Sequence, residues 1–514
     1  EDTSAILHPI FTGGSSGITG TFYHDEKIFS TGVMALPSAV QIDTSRFIYD
    51  DYPARARFYA GIALSRAGKT AEARDVLTNL SQDPTALYAD KAWYHLALVE
   101  FKSGHSLQAE GLLAPIALHR SQSGVFASIL LGDIHYRRSS FAKAAEYFGF
   151  ALANLPDNDT ILRAVASLER GLSLLPLGSW VESAQDLKLY LSLASGNTTG
   201  LDEALFWLGR AYFRSDSIPQ ARNCFKRVLG EFPNSTRTID AQYGYAWTLF
   251  RNGEYKLADR EFAKVIEMDS ITRYAYDALS RRGDALYAGG EIKTALAIYN
   301  LAVDRPTFND YRTTRSLYQL GVIRMRNDSA RSAMNAFHTI ITKFPKSDIL
   351  DRSYYDYAVA AYAIKQEEKG DEAIHVLSTK FKDSPFASKG IYLSASEDEH
   401  TGENTDAYAN YKKILTLYPN SEEFVPSLFG AVNALAALKR YDDAITLADS
   451  FFVRSPSSPY APRLLFRKGE IEFLAAVPFD AKKTFEDFSI RFPNDTLLPM
   501  ARYMLGKALS SSSK

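Results

Sequence analysis

A small residue followed twelve positions later by an alanine recurs through almost the whole chain, and this spacing constrains the fold more than any other feature. The pairs are Gly61 with Ala73, Ala97 with Ala109, Gly132 with Ala144, Gly209 with Ala221 and Ala246 with Ala258. They continue as Gly283 with Ala295, Gly321 with Ala333, Ala361 with Ala373, Ala395 with Ala407 and Gly469 with Ala481. Successive copies lie mostly 34 to 40 residues apart, a period that marks a stacked unit of two secondary elements. Small residues at two fixed places in each unit let one helix lie close against the next, where a bulky side chain would wedge them apart.

Four residues after the alanine stands a large apolar residue, as in Phe148, Phe225, Phe262, Tyr299, Phe337, Tyr411 and Phe485, which reads as a knob filling the space between hairpins. Proline then punctuates the period at Pro156, Pro233, Pro345, Pro385, Pro419, Pro456 and Pro493, where its fixed φ and missing donor end a helix. Inside the unit, segments such as Arg251-Asn252-Gly253-Glu254 and Ala288-Gly289-Gly290-Glu291 offer glycine for a left-handed helix cap. Two copies are irregular. Gly171 to Ala184 is thirteen residues with Pro176 inside the expected turn, and Val432 replaces the small residue.

These elements divide the chain into an irregular extended segment over residues 1–50, a helical array over 51–509 and a Ser-rich tail over 510–514. The first segment has the cluster Gly13-Gly14-Ser15-Ser16-Gly17 and reads as extended chain over the first hairpin, with a short hairpin near Thr21 to Val33. Thr496 to Leu509 reads as one more first helix without its partner, covering the last apolar face.

Apolar residues at 46% and charged residues at 23% fit folded protein and exclude wholesale disorder. A net charge of −2 creates no global field toward nucleic acid or anionic lipid. No apolar run approaches the roughly 20 residues of a membrane-spanning helix, so the chain reads as soluble. It begins at Glu1 without a basic and apolar leader, which reads either as natively leaderless or as a form whose targeting signal has gone. The lone Cys224 excludes an intrachain disulfide framework and reads as a buried, inert thiol.

The residues argue for no catalytic or metal site and no cofactor. Gly13 to Gly20 lacks the lysine and hydroxyl residue of a phosphate loop, since Thr21 and Phe22 follow it. The histidines are not spaced three or four apart as a metal-binding helix face requires. His24-Asp25-Glu26 and Glu397-Asp398-Glu399 read as solvated surface charge.

The small residue, aromatic, alanine, aromatic and proline at these offsets resemble the tetratricopeptide repeat (TPR) family, over roughly residues 54 to 509. The resemblance implies an all-α fold, a right-handed α-solenoid of about twelve helix hairpins behind the short irregular N-terminal segment. The endings Phe232-Pro233-Asn234-Ser235, Phe344-Pro345-Lys346-Ser347, Tyr418-Pro419-Asn420-Ser421 and Phe492-Pro493-Asn494-Asp495 look like those of bacterial envelope repeat proteins, of the outer-membrane-assembly lipoprotein and Tol-associated types.

In that family the first helices line a concave groove, and carrying its positions over selects Phe206, Arg210, Phe213, Tyr243, Trp247, Phe250, Asp284, Tyr287 and Tyr318 as partner-binding residues. Such rings suit a bound peptide or helix segment; the alternative is that they pack against neighbouring first helices. Asp240, Asp277 and Asp284 are expected to oppose Arg210 and Arg315, a mixed charge unlike a nucleic-acid channel. The family's carboxylate clamp is not assembled, because Asn433 is followed by Arg463 and Arg467 only one repeat later. The expected function is a non-catalytic protein-interaction scaffold in the periplasm, or on the periplasmic face of the outer membrane, associated with an envelope complex. The alternatives are a cytoplasmic scaffold or regulator and an envelope protein that binds polysaccharide.

Overall fold

A computed structural model of the chain describes residues 52–83, 88–194, 200–268, 273–304, 311–454 and 458–512. The irregular segment 1–50, the glycine cluster, His24-Asp25-Glu26 and Pro456 lie outside these. The described residues form 25 α-helices and no strand. The chain divides into two compact units, Glu1–Ala275 and Tyr276–Lys514.

In the first unit the helices pair along the chain as α1 (Tyr52–Arg66) with α2 (Thr70–Ser81), α3 (Ala89–Lys102) with α4 (Ser106–Leu113), and α5 (Gln122–Arg137) with α6 (Phe141–Asn154). There follow α7 (Thr160–Leu174) with α8 (Trp180–Leu193), α9 (Leu201–Arg214) with α10 (Ile218–Glu231), and α11 (Thr238–Arg251) with α12 (Tyr255–Met268). α13 (Arg273–Ala288) contains the unit boundary.

The second unit continues with α14 (Ile292–Asp304), then α15 (Tyr311–Arg326) with α16 (Ala330–Lys343), and α17 (Leu350–Ala363) with α18 (Glu367–Lys380). It ends with α19 (Pro385–Thr401) and α20 (Asn404–Leu417), α21 (Phe424–Ala437) and α22 (Tyr441–Arg454), α23 (Ala461–Leu474) and α24 (Pro478–Arg491), and the single helix α25 (Leu498–Ser512). Twelve hairpins and an unpaired last helix match the expected architecture. The serines to Ser512 extend α25, so they are its last turn and not a tail.

The close approach predicted from the spacing is real, and its partner is the knob sixteen residues on. A Cβ added to Gly132 would stand 2.7 Å from the Phe148 ring, and one on Gly321 would stand 2.5 Å from Phe337. Gly209, Gly283 and Gly469 meet Phe225, Tyr299 and Phe485 in the same way. The knob therefore fills space inside its own hairpin first. Phe225 also lies under Gly244 of α11, and Tyr411 under Gly430 of α21, so these rings join successive hairpins as well.

The structure corrects two registers. Opposite Gly171 the twelfth residue is Ser183, fully buried with its hydroxyl donating to the Gly171 carbonyl at 2.7 Å, and Leu187 is the knob. The copy read from Ala361 and Ala373 is centred one turn earlier, on Ala358 and Gly370, with Ile374 as knob. At the other irregular copy the volumes are exchanged: Val432 takes the small position and Ala448 the knob position, both fully buried in one cluster. Pro385, read as a terminator, is instead the first residue of α19, where its missing donor is harmless.

One residue per hairpin turn, seven after the small residue, has left-handed backbone: Gly68, Gly104, Ser139, Gly178, Asp216 and Gly253 in the first unit, and Gly290, Asp328, Lys365, Gly402, Lys439 and Ala476 in the second. At Gly253 the amide donates to the Phe250 carbonyl and that of Glu254 to Leu249, both at 3.0 Å. These are the paired bonds of a Schellman cap, which satisfies the last carbonyls of the first helix.

Between hairpins the aromatic-proline endings make a different turn. Ser235, Ser347, Ser421 and Asp495 donate their amides to the carbonyls of Phe232, Phe344, Tyr418 and Phe492, with proline at the second position as a type I turn favours. The Ser235 hydroxyl and Asp495 carboxylate then accept from the amides two residues on. This turn chemistry is the physical reason for the ending.

Candidate partner-binding face

In the first unit the candidate residues stand on α9 and α11. Phe206, Phe213, Tyr243 and Trp247 are buried, Trp247 to 1% exposure, while Arg210 and Phe250 are half-buried. The rings fill the wall of the array. Trp247 packs edge-on to Phe250 at 5.3 Å and to Phe262 of α12 at 5.7 Å between centroids, and Tyr243 meets Phe262 at 5.6 Å. Such edge-to-face pairs add to the area they bury. These four are buried among their helical neighbours.

The charge of this face is organised around Arg237, the residue that precedes α11 as its N-cap, which the sequence frame did not select. Its Nε donates at 2.8 Å to Glu203 of α9, its second nitrogen to the other Glu203 oxygen, and Nη1 at 3.1 Å to Asp240. Burial opposes the Arg237 charge, but the two carboxylates outweigh it and hold the guanidinium above its ordinary range. Glu203 also accepts from the Trp207 indole at 2.7 Å. Arg210 and Arg237 both lie over the Trp207 ring, at 4.7 and 5.4 Å from its centroid. Asp240 pairs with Arg237 and its charge also acts on Arg210, as expected, and a forked ion pair ties α9 to the start of α11.

In the second unit Asp284 and Tyr318 are buried and Tyr287 is half-buried. Asp277 and Asp284 pair with Arg281 on their own helix, at 3.2 and 2.7 Å, and Arg281 is fully buried. Tyr299 donates to the other Asp284 oxygen at 2.5 Å. Burial first, and then the Asp284 carboxylate, push the Tyr299 phenol well above its ordinary value. Asp277 and Asp284 also act on the Arg315 charge, as expected; the sequence frame missed Arg281, which stands where α11 has Gly244. Tyr318 donates to Asp356 at 2.5 Å and lies beneath Arg352, 4.7 Å from its centroid. Tyr287 accepts from Arg326 at 2.7 Å.

The Asn433 and Arg467 side chains hydrogen-bond to each other at 2.9 Å, and Arg467 pairs with Glu470 at 3.0 Å, so they join α21 to α23. Cys224 is buried, and burial pushes its thiol up to about 11, as an inert thiol should behave. Among the described residues no group of three or more His, Cys, Asp or Glu is placed to hold a metal ion, and no helix is long and apolar enough to cross a membrane.

A curated relative, the TPR repeat-containing protein MJ1428 of Methanocaldococcus jannaschii, is 22% identical over 409 residues, covering 69% of this chain and 68% of that protein. Among solved structures the chain is similar to PilF of Pseudomonas aeruginosa, at TM-score 0.33 and 18% identity over 44% of this chain and 95% of that one. It is similar also to the C-terminal part of a TPR repeat-containing protein from Cytophaga hutchinsonii, at TM-score 0.35 and 16% identity over 58% and 98%. Residues 203–235 and 315–347 match one tetratricopeptide repeat model and residues 243–310 another. The matched stretches are tetratricopeptide repeats, and the hairpins on either side of them keep the same small-residue, knob and left-handed-turn register.

Proposed function

We propose that this chain is a non-catalytic scaffold that holds a peptide or helix segment of another protein against the first helices of its hairpins. The observation that carries the reading is what remains accessible once the wall has packed. Phe101, Arg210 and Phe250 in the first unit, and Tyr287, Tyr355 and Tyr392 in the second, are half-buried on first helices. Partly exposed aromatic and arginine side chains on a rigid backbone are the residue types that dominate recognition surfaces, since they contribute large contact area with little ordering. The mixed charge around Arg237 favours polypeptide over polyanion. The buried Phe206, Phe213, Tyr243, Trp247, Asp284 and Tyr318 keep that face in shape, and the half-buried set touches the partner.

The setting we propose is a bacterial cell envelope, on the periplasmic side and associated with an outer-membrane or envelope complex, and it rests on the aromatic-proline endings. Fractionation of the tagged full-length gene product tests it, and recovery in the cytosol would replace it with a cytoplasmic scaffold. For the binding face, a photo-crosslinking residue at 210, 250 or 287 is expected to capture one protein in the source cell. The same residue at the exposed second-helix positions Lys226 and Lys412 is expected to capture none. The reverse pattern would move binding to the second helices.

A further inference from the structure

In the second unit α22, α23 and α24 line an open polar cleft of about 670 Å³ on the second-helix side of the last two hairpins. Five carboxylates line it, Asp442, Asp449, Glu472, Asp480 and Asp487, against three cations, Lys468, Lys483 and Arg491. Some of these charges answer each other. Lys468 pairs with Asp449 and lies 3.5 Å from Glu472, and Arg491 pairs with Asp487 at 3.2 Å. Glu472 is 3% exposed; Thr484 and Lys468 hydrogen-bond to its carboxyl, yet its buried Oε2 has no partner. A buried carboxylate oxygen without a donor is costly, and the hairpin contains it all the same.

We propose that this cleft is a docking site for a basic stretch of polypeptide, one of whose arginine side chains enters to donate to Glu472. The guanidinium supplies the missing donor and balances the excess of negative charge. The exposed Asp442 and Asp480 at the rim face the flanking cations of the same segment. A metal ion does not suit the site, because no three carboxylates converge tightly enough to ligate one. An arginine does, since its planar fork matches a carboxylate and stays charged beside it. The site is separate from the first-helix face, so it offers a second attachment point to the same array.

Fluorescence anisotropy of a labelled Gly-Arg-Gly-Arg-Gly peptide with the full chain tests the site. Binding is expected, with the matching glutamate peptide unbound. Glu472→Gln, which keeps the shape and removes the charge, is expected to weaken binding at least tenfold, about the loss of one charged hydrogen bond. The rim double variant Asp442→Asn with Asp480→Asn is expected to weaken it about threefold, an effect that disappears in high salt because these groups are exposed. No binding by the unaltered chain overturns the proposal, as does equal binding by the Glu472→Gln protein. If Glu472→Gln disturbs α23 or α24 by circular dichroism, the exposed rim variant decides, and unchanged binding by it overturns the proposal too.

Discussion

Residues 237 and 281 are both arginines that neutralise two carboxylates on a first helix, yet they are embedded differently. Arg237 in the first unit has a side chain 14% exposed, and its main partner, Glu203, belongs to the neighbouring first helix. Arg281 in the second unit has no exposure, and its paired carboxylates are on its own helix, one turn to either side. The first pair acts as a tie between successive hairpins. The second is a buried charged plug, joined to α14 through Tyr299, at the repeat position that elsewhere holds Gly244 and Gly430, so an array of near-identical units can satisfy one position with a hydrogen atom or with a paired arginine.

The sharpest way to break this comparison is to remove each cation. Arg281→Ala removes the fully buried cation between Asp277 and Asp284 and is expected to cost about 3–5 kcal/mol, the usual penalty for breaking a buried charge pair, even though Asp284 keeps the Tyr299 hydroxyl. Arg237→Ala removes a cation that is itself 14% exposed and leaves Glu203 with the Trp207 indole as donor, and is expected to cost about 1–2 kcal/mol. Urea unfolding of both variants measures the difference, and equal losses would mean that burial does not separate the two sites.

A second contrast sets the middle of the array against its end. Gly321→Ala pushes a methyl group into the Phe337 ring, with an expected loss of about 1–3 kcal/mol from overpacking. Gly506 of α25 stands in the same register but meets nothing within 4 Å. Gly506→Ala is therefore expected to stabilise, by up to about 1 kcal/mol from helix propensity alone. Thermal unfolding of the two variants should shift in opposite directions, and a loss at both would show that the face of α25 is covered.

The smallest expected effect comes from the hairpin turns. Four of the six left-handed turn residues in the first unit are glycine, against two of six in the second. Non-glycine residues there carry strain. Ala476→Gly is expected to stabilise by about 0.5–1 kcal/mol, while Gly253→Ala destabilises by about 1 kcal/mol. Chemical denaturation of the pair would weaken the idea of a more strained second unit if Ala476→Gly gained nothing.

Much of the architecture was legible because the spacing acts locally. The small residue, its alanine and its knob lie within seventeen consecutive residues, so the hairpin they dictate can be read without knowing its neighbours. Where reading slipped, at Ser183 and at Ala358 with Gly370, an alanine one or three positions away imitated the true small residue, and only the knob it faced could tell them apart. The candidate site was less legible. Ring identity at Tyr243, Trp247 and Tyr318 was plain, but whether a ring faces outward or fills the wall depends on helices one hairpin away.

The amino-acid order by itself therefore determined the unit, its approximate number and its punctuation: about twelve hairpins over the array, turns often marked by proline, and a single helix after the last hairpin. Close helix approach and chain reversal are decided by side-chain size and backbone preference within one repeat. Only the tertiary structure decided which charges are buried and with whom. The burial of Arg281, the tie from Arg237 to Glu203 and the cleft around Glu472 arise where side chains from separate turns or helices meet. Their energies depend on exclusion of water by that packing, which no single repeat specifies.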